Sequence, residues 1–101
     1  MFSITNGKGF HIVFENGWGV SVQFGGGSYC DNQHDYGYSQ AENIRAGSDG
    51  CKNAEVAVLD DSGSLVESPY CGDIVQPDVT PDELFFIMAW AKSQKPTNGT
   101  R

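Results

Sequence analysis

The stretch TPDELFFIMAWAKS, residues 80–93, decides the fold class of this chain. Thr80 provides a hydroxyl cap, Pro81 suits the first helical position, and Glu83 follows the cap by three residues, which is the order of a capping box. Apolar residues then recur at helical spacing: Leu84, Ile87, Met88 and Ala91. The sequence therefore predicts a helix over 81–93.

This predicted helix is unusually apolar. Its apolar stripe is widened by four more residues: Phe85, Phe86, Ala89 and Trp90. We expect a helix of this kind to be covered on most sides, either by the sheet wrapping it or by a second subunit burying what the sheet leaves out. The small size of the chain favours help from a partner, so we expect a homo-oligomer.

The first 24 residues predict three strands, because apolar residues alternate with polar ones and turn residues interrupt the pattern. Turns are expected at 6–9 and at 15–17, where Asn16 followed by Gly17 favours a type I′ hairpin turn. In the third strand, alternation directs four side chains inward: Trp18, Val20, Val22 and Phe24.

Strand character returns after a long interval. The stretch 54–59 alternates, 60–63 is a turn, 64–67 is a partner strand, and 73–76 adds a short last strand before Pro77. We predict an α+β fold in which an antiparallel β-meander of about five strands packs on one C-terminal helix, with a long irregular loop after the third strand. Residues 1–93 form a single domain, and 94–101 form a polar C-terminal tail.

Composition excludes several classes of function. Six Lys and Arg against thirteen Asp and Glu give a net charge of −7 among 101 residues, which argues against binding a nucleic-acid backbone. The longest apolar run, 84–91, is far too short to span a membrane, and the N-terminus lacks the order of a signal peptide. We expect a protein of the cytoplasm that does not bind membranes.

The acidic residues are concentrated in 51–83, which holds eight acids and one base. Two interpretations remain open. These acids solvate strand edges and turns and favour the helix start, or they form a surface that meets a basic partner protein.

The segment 25–53 shows neither strand nor helix periodicity, and loops of this length are often binding loops. Its tyrosines can stack on a flat ring, and its other polar side chains can bind a nucleobase or one phosphate. Alternatively, the tyrosines pin the loop to the sheet. The predicted ligand-binding residues are Tyr29, Asn32, His34, Tyr36, Tyr38, Asn43 and Arg45.

The chain offers few groups for catalysis or metal binding. We expect its three cysteines to be reduced thiols, although Cys30, His34, Cys51 and Cys71 could together form a zinc site. His11 is expected to be a surface or cross-strand residue rather than a base. A hydrolase using Cys30 and His34 is an alternative, but we predict no catalytic residues, no metal and no cofactor.

Four segments resemble a group of small, largely uncharacterised proteins encoded by tailed bacteriophages and prophages: ITNGKGF (4–10), FENG (14–17), VSVQFG (20–25) and YCDN (29–32). The resemblance implies a phage accessory protein made in the bacterial cytoplasm, of a kind that often antagonises host defence. We expect a counter-defence protein that sequesters a nucleotide-derived immune signal. The alternative is an acidic inhibitor of the anti-CRISPR kind that binds and blocks a basic host defence protein.

Overall fold

A computed structural model describes residues 1–4, 9–24, 51–70 and 73–97. Six strands precede one helix in these ranges: β1 (Phe2–Ile4), β2 (Gly9–Val13), β3 (Gly19–Gln23), β4 (Ala54–Leu59), β5 (Leu65–Val66), β6 (Val75–Val79) and α1 (Pro81–Ser93). The helix has the predicted bounds.

The strands form one six-stranded sheet in which every pairing is antiparallel. Strands β1 to β5 are neighbours in chain order, and β6 pairs with β4 rather than with β5. Strands β5 and β6 therefore share one edge of β4, with β5 beside its end at Val58 and Leu59 and β6 beside Ala54 to Ala57. The α+β prediction, a meander with one C-terminal helix, is confirmed.

The β2–β3 turn differs from the predicted type. A type I′ turn needs positive φ at both central residues, but only Gly17 has it, at 87°. The Gly17 amide donates to the Phe14 carbonyl at 2.9 Å, and the Phe14 amide donates to the Trp18 carbonyl at 2.8 Å. The connection is therefore a three-residue loop that needs the left-handed conformation at Gly17 alone, and the type I′ prediction is wrong.

Strand β6 begins and ends later than the predicted 73–76 and runs through Pro77. Its register shifts between Ala54 and Val56 of β4, so that Pro77 and Asp78 together lie opposite one β4 residue. This is a β-bulge, a position where a strand tolerates proline. Asp78 adopts a φ of 56°, a conformation that aspartate accepts more readily than most residues.

The core lies between α1 and the centre of the sheet. Because paired residues of antiparallel strands share a face, the pairs Val20–Val58 and Val22–Val56 line the side that α1 covers. Nine buried residues form one cluster: Trp18, Val20, Val22, Ala54, Val56, Val58, Val79, Ile87 and Ala91. Three of the four predicted inward residues of β3 are buried, and Phe24 packs against the cluster.

The C-terminal end of α1 is attached to the β2–β3 turn. The indole Nε1 of Trp18 donates to the Lys95 carbonyl at 3.2 Å, and the rings of Trp18 and Trp90 meet edge to face at 5.7 Å. The Thr97 hydroxyl also donates to the Asp61 carboxylate. These contacts bind the first part of the polar tail, up to residue 97, to the sheet.

The sheet does not wrap around the helix, which was one of the two alternatives for covering its apolar surface. Helix α1 contacts β3 and β4 through a face that contains Ile87 and Ala91. On its outer side Phe85 is 69% exposed and Phe86 is 55% exposed. Side chains advance by about 100° per helical residue, so Phe85 lies about 200° from Ile87 and cannot share its face.

Candidate functional site

The predicted ligand-binding residues lie outside the described residues, since all seven fall in 25–50. The alternatives built on Cys30 and His34 fall there too, and Cys71 of the zinc alternative is likewise outside. Cys51 is half-buried at the start of the next described range. The structure does describe the surface around residues 24 and 51, between which the segment 25–50 lies in the sequence.

A cavity of about 310 Å³ opens at that surface, between the end of the sheet and the first turn of α1. Phe24 and Cys51, the last described residue before the segment and the first after it, both line this cavity. Among the residues that the structure describes, its lining is Phe10, Val22, Phe24, Cys51, Lys52, Asn53, Ala54, Val79, Thr80, Pro81 and Leu84. We refer to it as the sheet-end cavity.

The walls of the sheet-end cavity are set by strand register. Phe10 pairs with Val22 across β2 and β3, and Ala54 pairs with Val79 across β4 and β6, so these side chains project from one face. Leu84 closes the wall from the first turn of α1. The cavity is therefore built on rigid, paired backbone and has a mainly apolar surface.

Polar groups are few at the sheet-end cavity. Lys52 is exposed at its edge and supplies a positive charge. The helix N-terminus also borders it, but the capping box has already engaged that end: the Thr80 amide donates to Glu83 Oε1 at 3.0 Å, and the Glu83 amide donates to Thr80 Oγ1 at 3.2 Å. Hydrogen bonds donated by the Thr80 amide and the Thr80 hydroxyl hold the pKa of the Glu83 carboxyl below its usual value. An anion at the helix start would have to compete with this carboxylate.

A second feature is an exposed group of rings, Tyr70, Phe85 and Phe86, which we call the aromatic surface. The ring centroids of Tyr70 and Phe86 are 6.3 Å apart, and those of Phe85 and Phe86 are 5.8 Å apart with planes at 84°. All three residues are more than half exposed. Consecutive residues of a helix point in different directions, so an unbroken apolar run must place some of its side chains away from the sheet. The run from Leu84 to Ala91 was therefore the sequence signal for such a surface.

Acidic residues accompany the aromatic surface. Asp82 precedes Phe85 by three residues and Phe86 by four on the same helix, which places its side chain beside both rings. The exposed acidic residues of the surrounding chain are Glu67, Asp73, Asp78, Asp82 and Glu83. Within 67–70 and 73–91 the described chain carries no Lys or Arg.

His11 lies where the sequence placed it. It pairs with Ser3 on β1 and Ser21 on β3, which confirms a cross-strand position. Its Nε2 is buried and has no hydrogen-bond partner among the residues described. His11 also lines a depression of about 260 Å³, together with Asp60 and Asp61.

No group of three His, Cys, Asp or Glu side chains in the described ranges could hold a metal ion.

Comparison with protein families, curated proteins and solved structures finds no match to this chain. In the part of the chain that the structure describes, no helix is both long and apolar enough to cross a bilayer. The sheet-end cavity could not be found from the sequence, because its described lining comes from four separate stretches of the chain and no local pattern marks where they meet.

Proposed function

We propose that this chain is a non-catalytic binding protein that captures a small nucleotide-derived molecule, one with a flat ring and few phosphates. The resemblance to phage accessory proteins gives the capture a purpose, which is removal of an immune signal in the infected bacterial cell. The observation that carries the proposal is the sheet-end cavity, about 310 Å³ in volume and located where the tyrosine-rich segment joins the sheet.

The size and surface of the cavity favour a ring. Ligand pockets typically enclose about 300 to 1,000 Å³ and combine apolar walls with a few polar groups. The side chains of Phe10, Phe24 and Leu84 provide apolar contact, and the volume is close to the lower limit. A nucleobase would therefore fit within this cavity with room for part of its sugar, and a phosphate would lie toward the edge.

Charge limits the number of phosphates. Lys52 can pair with one phosphate at the edge of the cavity. The helix N-terminus is already engaged by Glu83, and the chain as a whole carries a charge of −7. Among the described residues that line the cavity, Lys52 is the only cation, so each additional phosphate would meet repulsion there, and a ligand with one phosphate on each base fits better than a polyphosphate.

The tyrosine-rich segment supplies the rest of the proposed site. Tyr29 follows Phe24, a residue of the cavity wall, by five positions in the sequence. In this proposal the phenol rings stack on the captured base, and Arg45 joins Lys52 in pairing with phosphate. Stacking of this kind contributes on the order of 1 to 3 kcal/mol per base.

The test is thermal unfolding with cyclic dinucleotides, cyclic oligonucleotides and ADP-ribose derivatives, followed by calorimetric titration of any compound that raises the midpoint. A ligand that binds only the folded state must raise the midpoint, by several degrees when it is present far above its Kd. Ala54→Leu would fill the sheet-end cavity and abolish the shift. Ala57→Leu is the matched control, since it adds the same side chain to the opposite face of β4.

Two outcomes would overturn the proposal. One is the absence of a shift with every compound in the panel. The other is a shift of the same size in Ala54→Leu and in the wild-type protein, which would place the bound compound away from the sheet-end cavity.

A further inference from the structure

We infer that the aromatic surface formed by Tyr70, Phe85 and Phe86 docks a protein surface rich in arginine. This inference is independent of ligand capture, because none of these three residues lines the sheet-end cavity. It concerns the outer side of α1 and the turn before β6, whereas the cavity opens at the end of the sheet.

The packing of the rings indicates a contact surface. Phe85 is 69% exposed, Phe86 is 55% exposed and Tyr70 is 51% exposed, so none belongs to the core. Their ring contacts are with one another, at 5.8 and 6.3 Å between centroids. Adjacent aromatic side chains left in water are typical of interfaces, where they provide large contact area at low cost in conformational entropy.

Charge identifies the partner. Asp82 lies one helical turn from both phenylalanines, and the described chain from 67 to 91 has five exposed acids and no base. An arginine guanidinium can stack on a ring and pair with a carboxylate at the same time. The combination of exposed rings and adjacent carboxylates therefore complements a surface of arginines interspersed with apolar side chains.

The same charges disfavour the other occupants. In a symmetric dimer formed through this surface, Asp82 and its acidic neighbours would face their own copies, and each chain carries −7. A membrane-surface helix normally places Lys and Arg beside its apolar face to meet anionic lipids, whereas the residue beside these rings is Asp82.

The experiment measures binding of a fluorescent helical peptide of Arg, Leu and Ala by anisotropy, with a Glu-for-Arg peptide as its charge-reversed counterpart. We expect the Arg peptide to bind, and to bind more weakly when NaCl is raised from about 50 to about 300 mM. The double variant Phe85→Ala and Phe86→Ala should weaken binding about tenfold or more. Asp82→Asn should weaken it as well and should reduce the salt dependence.

Leu65→Ala is the matched control, because Leu65 is an apolar residue 46% exposed on β5, outside the aromatic surface. It should bind the Arg peptide like the wild-type protein. Circular dichroism would verify that every variant is folded, which is expected because the substituted rings lie outside the core.

Three results would overturn the inference: no binding of the Arg peptide, equal affinity of the wild-type protein and the double phenylalanine variant, or a dimer in sedimentation that the double variant converts to monomer. Two variants distinguish a failure of this inference from a failure of the proposed ligand capture. The double variant should keep the ligand-induced thermal shift, and Ala54→Leu should keep the affinity for the peptide.

Discussion

The side-chain amide of Asn16 donates a hydrogen bond to the backbone carbonyl of Ala91 at 2.8 Å, across 75 positions of sequence. The same nitrogen donates to the carbonyls of Gln94 at 2.8 Å and Lys92 at 3.2 Å. The last carbonyls of a helix lack partners within it, so a side chain from the β2–β3 turn provides the C-terminal cap of α1. Asn16 Oδ1 also accepts from the Trp18 amide at 3.0 Å, which holds the side chain in place.

Asn16→Ala should lower the free energy of unfolding by about 1 to 3 kcal/mol, because it removes the side-chain donor to the part-buried carbonyls of Ala91 and Gln94 and leaves Ala91 only the 3.3 Å bond from the Gln94 amide. Asn16→Asp should cost more than alanine, since a carboxylate would face carbonyl oxygens at the negative end of the helix. Urea unfolding of the three proteins measures both effects. An aspartate variant as stable as the wild-type protein would contradict this account of the cap.

Gly9→Ala should be among the most damaging single substitutions in the sheet. A Cβ at Gly9 would overlap the Val22 carbonyl and would lie 2.9 Å from the Cα of Gln23, so two paired strands would have to separate. We expect a loss of about 2 to 3 kcal/mol. The comparison is Gly63→Ala, where nothing lies within 4 Å and only the φ of 86° opposes the substitution, at a cost of about 1 kcal/mol. Urea unfolding would show the ranking, and equal losses would refute the overlap.

Thr80→Ala should destabilise the protein by about 1 kcal/mol by removing the hydroxyl that accepts from the Glu83 amide. Thr80→Ser is the control, because it keeps a hydroxyl at the same position. Thermal unfolding should rank serine near the wild-type protein and alanine below both. If serine lost as much as alanine, the capping box would not be the source of the effect.

The β4–β5 turn should respond to acid through Asp60. Hydrogen bonds from the Ser62 hydroxyl and from the amides of Ser64 and Ser62 hold the pKa of Asp60 below its usual value. A carboxyl whose pKa is lowered on folding stabilises the fold above its unfolded pKa, and that contribution is lost as the pH falls through the folded pKa. Asp60→Asn should therefore lower the Tm at pH 7, and the difference from the wild-type protein should shrink toward pH 3. A difference that is constant over this range would contradict the prediction.

Lys52→Gln should weaken capture of a phosphate-bearing ligand by about tenfold, since it removes the cation at the edge of the sheet-end cavity. Lys92→Gln changes the net charge equally but lies in the last turn of α1, so it should leave the affinity unchanged. Calorimetric titration of both variants separates local pairing from the overall field. Equal weakening in both would assign the effect to net charge.

Sequence alone determined the elements whose signals are local. The helix bounds follow from the capping box at Thr80 and from apolar spacing, because these interactions join residues three or four positions apart. The approximate positions of β1 to β5 follow from alternation, and the positions of the turns at 15–17 and 60–63 follow from their turn residues, including Gly17 and Gly63.

Only the tertiary structure decided which of these elements meet. The pairing of β6 with β4, the capping of α1 by Asn16, the sheet-end cavity and the exposure of Phe85 each depend on contacts between distant positions. Such contacts arise when the sheet and the helix bury their apolar faces against each other, a choice made over the whole fold. A local sequence pattern shows that a residue is apolar, but it does not show whether the sheet has enough surface to cover that residue.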